Sequence, residues 1–281
     1  MSKVYLTKIS LGSLLCLLTL SVGCCINVGG CYKTKYEKTV HLSVPLPSGS
    51  SFTAQTHNGS ITINGSDVAD CNLTATIIAK AATEEKAREL AEEIKIKLEP
   101  FGNKLTAKII QPKCRINRSF SVNLDINIPN QTNMEIITHN GNIRITNIIG
   151  QLNGGTHNGN VITEQISGTV RLETHNGSII CKDISGDMKL RTHNGRINAA
   201  YSRNAPSVFD SSIVSYNGGI NFTAPPNLSA TVNVSTHNGS INTDLPINII
   251  GKISKNQLTG TIGKGLGKLH LETHDGSIKI R

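Results

Sequence analysis

Tryptophan is absent from the 281-residue chain, and phenylalanine and tyrosine number only five each. A wide globular core normally draws on large rings, so the apolar 37% has to build its interior from Ile, Val, Leu and Ala, with Thr beside them. That set suits β-branched strands packed in a narrow coil. Acidic side chains are also scarce, 19 against 28 Lys and Arg. The repetitive part of the chain therefore has few of the paired carboxylates that glycoside cleavage requires, and there is no aromatic-lined cleft to hold a sugar. No Cys-x-x-Cys pair occurs among the seven cysteines, which argues against finger or ribbon zinc sites. The cationic excess of +9 is scattered, without a dense basic stripe or interleaved aromatics, so nucleic acid is not an expected partner. No apolar run is long enough to span a bilayer.

The start of the chain carries the most specific signal. Lys3 and Lys8 precede the short apolar stretch Leu11 to Val22, the pattern of a signal peptide over residues 1–23. Leu20-Ser21-Val22-Gly23-Cys24 resembles the lipobox of bacterial lipoproteins, with Ser21 where that motif prefers Leu. The resemblance implies cleavage before Cys24 and lipidation of its thiol. A mature chain with 26 basic and 19 acidic side chains, +7, would then be held on a membrane by acyl chains, facing the periplasm or the exterior. Residues 24–38 read as a tether. Export implies an oxidising compartment, where Cys25 and Cys31 could close a small loop, while Cys71, Cys114 and Cys181 are far apart in sequence.

A four-residue motif dominates the rest. Thr-His-Asn-Gly occurs at 56–59, 138–141, 156–159, 174–177, 192–195 and 236–239, Thr-His-Asp-Gly at 273–276, and a degenerate Ser-Tyr-Asn-Gly at 215–218. Four copies from Thr138 are spaced by 18 residues, the next gaps are 23 and 21, and the last is 37. Thr259-Gly260-Thr261-Ile262 is read as a worn copy within that last gap. Such regularity predicts a solenoid-like, mainly β stack of units too small to bury an apolar face alone. Asn-Gly followed by alternating apolar residues predicts tight turns that use positive φ, at Asn58-Gly59, Asn140-Gly141, Asn158-Gly159, Asn176-Gly177, Asn194-Gly195, Asn238-Gly239 and Asp275-Gly276. The motif Thr shares the phase of the preceding apolar residues, as in Val170, Leu172, Thr174, so the neighbouring His points outward.

The stretch between the first and second copies, whose starts lie 82 residues apart, differs in texture. Asn72 to Lys80 alternates as a strand, and Thr83 opens a helix expected over 83–98 with Ala87, Leu90, Ala91, Ile94 and Leu98 on one face and Gly102 at its end. Leu105 to Ile109 and Val122 to Ile128 return to strand, giving an inserted β-α-β element. A simple crossover would make the flanking strands parallel and hold Cys71 and Cys114 at opposite ends, too far apart to bond. The expected division is thus leader 1–23, tether 24–38, a β-rich region 39–137 and repeats 138–281.

Over residues 39–281 the chain resembles a family of bacterial candidate adhesins, a β-strand-repeat domain of unknown function. The carrying features are the opening strand Leu42-Ser43-Val44-Pro45, a first Asn-Gly-Ser-Ile turn at 58–61, an acidic Glu- and Ala-rich helix and serial Asn-Gly-x-Ile turns. The resemblance implies an adhesin-like envelope protein, meeting an envelope polymer or another surface protein, and is nearly silent on chemistry. Histidine before almost every Asn-Gly departs from it.

Seven of the nine histidines occupy that one position. Stacked at strand spacing, His139, His157, His175 and His193 would form a ladder able to take a transition metal or an anionic ligand. The motif supplies no regular carboxylate or thiol partner, so the plainer expectation is exposed turn residues copied with the repeat, with no resident metal or cofactor. Calcium-binding β-rolls use recurring Asp where this chain has Asn in all but the last copy. Nothing marks a nucleophile, and the chain is read as non-enzymatic; a polysaccharide-active β-helix enzyme is the least favoured alternative.

Overall fold

A computed structural model describes residues 34–112, 117–249 and 254–281. Its repeating unit is clearest in one coil, β10 (Leu152–Asn158) followed by β11 (Val161–Ser167). Leu152 and Thr156 point inward from the first strand, and Val161 and Thr163 from the second. Strict alternation would then turn Ile166 outward. Gln165 instead takes a left-handed φ of 57°, a kink that returns Ile166 to the core, and the ladder pairing skips it. Asn147 and Asp183 repeat the device one coil to either side.

Coils pair in parallel at a sequence offset of 18, Leu152 with Val170 and Thr156 with Thr174 on one face, Val161 with Ile179 on the other. Each coil gives one strand to each of two long sheets. One sheet receives β3 (Ile61–Ser66), β9 (Ile143–Ile149), β11, β13 (Ile179–Ser185), β15 (Ile197–Tyr201) and β17 (Ile220–Thr223). The other receives β2 (Ser51–Asn58), β8 (Asn133–Asn140), β10, β12 (Val170–Asn176), β14 (Met188–Asn194) and β16 (Asp210–Asn217). Between them lies a core of stacked columns such as Ile143, Val161, Ile179, Ile197, Ile220 and Ile278, all fully buried. Each such side chain contributes about 1.5–3 kcal/mol.

The stack starts earlier than expected. β2 and β3 pair directly with β8 and β9, so residues 51–66 are its first coil and the expected boundary at 137 is not a structural one. The strand β1 (Thr34–Pro45) likewise takes up residues 34–38 of the expected tether.

The inserted element is not a simple crossover. β4 (Asp70–Ala81) lies antiparallel between β1 and β7 (Ser119–Pro129) in the first sheet. Helix α1 (Glu84–Glu93), capped by the Thr83 side chain, leads instead to a hairpin of β5 (Lys95–Phe101) and β6 (Lys104–Ile110) in the second sheet. The helix therefore ends five residues before 98. Ile94, Ile96 and Leu98 also alternate at period two, and pairing of Lys95–Phe101 with β6 satisfies that backbone where a longer helix would leave the sheet edge open. Gly102, at φ +55°, makes the hairpin turn rather than the helix stop. The parallel arrangement proposed to separate Cys71 from Cys114 is thereby overturned. Cys114 itself falls outside the described residues, as do Cys24, Cys25, Cys31 and the leader.

The far end departs further from chain order. After β18 (Ala230–Asn238) and β19 (Ile241–Thr243), residues 257–262 do not form a worn coil; β21 (Gln257–Ile262) pairs antiparallel with β18. The last coil, β22 (Gly267–Asp275) and β23 (Ile278–Ile280), then inserts between β16/β17 and β18/β19, parallel to both neighbours.

Candidate functional site: the ladders of the motif corner

Thr-His-Asn-Gly is the corner where the chain leaves one sheet for the other, and each of its four residues meets its counterpart one rung away. Thr is buried, and its hydroxyl donates to the Gly carbonyl of the neighbouring coil: Thr138 to Gly59 at 3.0 Å, Thr156 to Gly141 at 3.0 Å, Thr174 to Gly159 at 2.9 Å and Thr192 to Gly177 at 2.8 Å. Ser215, Thr273 and Thr236 continue the series. A buried hydroxyl is tolerated because this bond satisfies it.

Asn builds an amide ladder. The Nδ2 of Asn140 donates to Oδ1 of Asn58, Asn158 to Asn140, Asn176 to Asn158, Asn194 to Asn176 and Asn217 to Asn194, at 2.7–2.8 Å. At the inserted last coil Asp275 occupies this place and accepts from Asn238 at 2.6 Å. That bond, and then the contact with His274 at 3.0 Å, hold the Asp275 carboxyl below its ordinary range.

Glycine is required here for a reason the turn reading missed. Positive φ occurs only at Gly59 and Gly218 among the motif glycines and at none of the motif Asn residues. The flanking strands belong to different sheets, so no hairpin is present. What demands Gly is approach: a Cβ on Gly141, Gly159, Gly177 or Gly195 would sit 1.9–2.0 Å from the Gly carbonyl oxygen of the preceding rung.

The ring of the second residue faces out. His139, His157, His175 and His193 are exposed and stacked, with centroids 4.8 Å apart. The column is longer than these four: His57 precedes them, and Tyr216, His274 and His237 follow in that spatial order at 4.7–4.9 Å. His57 and His274 are half-buried. The clue to Tyr216 was its place in the degenerate copy; the order of the last two rungs had no sequence signal. Loss of water around the stack, followed by the charge of His139, lowers the His57 pKa below 6.5; the same desolvation, then His139 and His175, lowers that of His157.

This geometry limits the chemistry. Equivalent nitrogens of parallel rings translated by 4.8 Å are themselves about 4.8 Å apart, whereas two Zn–N bonds of about 2.1 Å span at most about 4.2 Å. Stacked neighbours thus do not share a metal, and among the described residues no group of three or more His, Cys, Asp or Glu is arranged to hold one. The histidine–carboxylate contacts His270–Glu272 and His274–Asp275 have no hydroxyl bonded to the ring, and the histidine–hydroxyl contact His41–Thr74 has no carboxylate. On the other side, the left-handed corner forms a shallow groove of about 420 Å³ lined by Asn130, Asn147, Gln165 and Asp183 among others. The described residues contain no helix long and apolar enough to cross a membrane.

A sequence profile of the Toastrack DUF4097 family matches residues 25–281. Among solved structures, the chain is similar to a candidate cell adhesion protein from Clostridium sporogenes, 13% identical, covering 86% of this chain and 99% of that one with a TM-score of 0.35. It is also similar to a candidate adhesin from Bacteroides fragilis, 13% identical, covering 87% and 97% with a TM-score of 0.36. A candidate lipid-binding protein from Parabacteroides distasonis is 13% identical and covers 87% and 97%, with a TM-score of 0.30. No curated protein matches the chain.

Proposed function

The chain belongs to the Toastrack DUF4097 family, and we propose that it is an adhesin-like, non-enzymatic interaction module, exported and tethered to a membrane through a lipid on Cys24. One observation carries the interaction role. Thr, Asn and Gly of the motif each have a structural duty at the corner, but the His ring faces outward and needs nothing from the core. Stacking alone would accept other flat side chains, as Tyr216 demonstrates. Seven copies nevertheless repeat imidazole along one line at the surface. A surface that repeats a chemistry the fold does not require is a surface kept for contact. The tether reading is supported by the charged start, apolar core and Leu20 to Cys24 pattern of the leader.

The test uses the lipid-free mature chain as bait against a native envelope extract, beside the variant with His139, His157, His175 and His193 changed to Thr. Capture of the same specific component by the parent and not by the variant supports the reading; equal capture by both overturns the assigned surface. For the anchor, Cys24→Ser should move the protein from the membrane to the soluble fraction, and its retention on membranes would defeat the lipid assignment.

A further inference from the structure

The ring column has a chemistry that follows from its geometry, and the inference drawn from it rests on the interaction role just proposed. We infer that the column is an acid-gated strip for a linear polyanion, a polymer bearing repeated phosphate or carboxylate groups. Eight rings in seven steps of 4.7–4.9 Å form a surface line of about 34 Å, exposed at six rungs and half-buried at His57 and His274. Seven are imidazoles, the side chain that gains a positive charge on mild acidification. Uncharged, the strip is neutral and polar. Protonated, it becomes a row of like charges at strand spacing, each raising the cost of charging the next. A single small anion relieves one such site. A flexible polymer lying along the corner relieves many at once and releases its own counterions, so protonation and polymer binding reinforce each other.

The surrounding charges favour this at the central rungs. Beside the column stand Arg191 two residues before His193, Glu173 two before His175, and Glu272 and Asp275 next to His274. One step further along the strands the same face carries Glu135, Arg171, Lys189 and His270. Around His175 and His193 the cations outnumber the carboxylates, whereas the His274 end already holds its own anions. The stretch from His139 to His193 is accordingly the binding segment. Nucleic-acid bases would need open aromatic faces, and here those faces are closed against one another at 4.8 Å.

The experiment measures binding of linear polyphosphate and, separately, of polygalacturonate to the lipid-free mature protein at pH 5.5 and pH 7.5 and fixed ionic strength. Affinity should rise about tenfold or more at the lower pH, and inorganic phosphate at equal phosphate concentration should not compete. Preference for one polymer tells phosphate from carboxylate as the favoured group. The His139, His157, His175, His193 to Thr variant should lose the pH effect while keeping its far-UV circular dichroism. Arg171→Gln with Lys189→Gln should weaken binding at both pH values and leave their ratio unchanged. Calorimetry of the parent in two buffers of different ionisation heat supplies a readout without any variant: complex formation near pH 6 should take up protons. Equal affinity at the two pH values, no proton uptake, or a pH effect that survives in the His variant would overturn the inference. These results would leave a His-dependent envelope capture standing, so the two readings fail separately.

Discussion

Replacing Gly159 by Ala puts the ladder argument at risk in a single methyl group. The added Cβ would lie 2.0 Å from the Gly141 carbonyl oxygen, where ordinary contact needs more than 3 Å. The rungs must part by about 1 Å at that corner, and four hydrogen bonds hold them there. These are Thr156 Oγ1 to Gly141 O at 3.0 Å, Gly141 N to Asn158 O at 3.0 Å, Ile143 N to Asn160 O at 2.9 Å and Asn158 Nδ2 to Asn140 Oδ1 at 2.7 Å. At about 1 kcal/mol each, losing two to four of them costs about 2–4 kcal/mol. Gly155, four residues earlier in the same strand, is the control. Its Cβ would meet nothing closer than the Glu173 carbonyl at 3.4 Å, and its φ needs no glycine. Gly155→Ala should therefore be neutral or stabilise by up to about 1 kcal/mol, through the reduced freedom of the unfolded chain. Urea unfolding of the two variants and the parent, followed by far-UV circular dichroism, measures the difference. Should the two variants unfold within about 1 kcal/mol of each other, close approach is not what glycine serves at this corner.

Three further outcomes follow from the same structure. The His57 and His157 pKa values are lowered on folding, so the unfolded chain binds more protons; stability should be full above pH 6.5 and decline as pH falls through 6.5 toward the depressed folded values. His157→Thr should reduce that decline in thermal melts between pH 8 and pH 5, and an unchanged slope would contradict the assignment. The thiols of Cys71 and Cys181 are buried and pushed up to about 12, so at pH 8 neither should react with a thiol reagent until urea unfolds the chain; prompt labelling of the native protein would refute their placement. Deleting residues 267–281 removes a coil from between two others, and the fully buried Leu271, Ile278 and Ile280 with it. Hydrogen exchange should then show β18 unprotected and β12 still protected, whereas protection of β18 equal to the parent would mean the last coil is peripheral.

The mainly β repeat, its 18-residue step and the outward phase of the histidines were legible because each depends on local periodicity. A period of two fixes the face of every residue in a strand, and identical motifs in identical phase must stack alike. The exposed positions of His139, His157, His175 and His193 follow from nothing more than Val170, Leu172, Thr174 and their equivalents. The first half of the helix was legible for the same reason, from its Thr83 cap and the Ala87, Leu90, Ala91 face.

What local pattern leaves open is which strand lies beside which. Ile94 to Leu98 satisfies helical and extended spacing alike, and the free edge beside β6 decided for the strand. Asn-Gly announced a turn, but only the pairing of one coil with the next revealed that glycine is selected by a carbonyl from the rung behind it. Seven of the eight ring residues were visible as a repeat; their order in space was not, because the last coil enters between two earlier ones and places His274 between Tyr216 and His237. Sequence distance says nothing about that insertion, since a parallel rung can be supplied by any segment that carries the right phase, and the burial of both its faces is settled only when the whole stack closes.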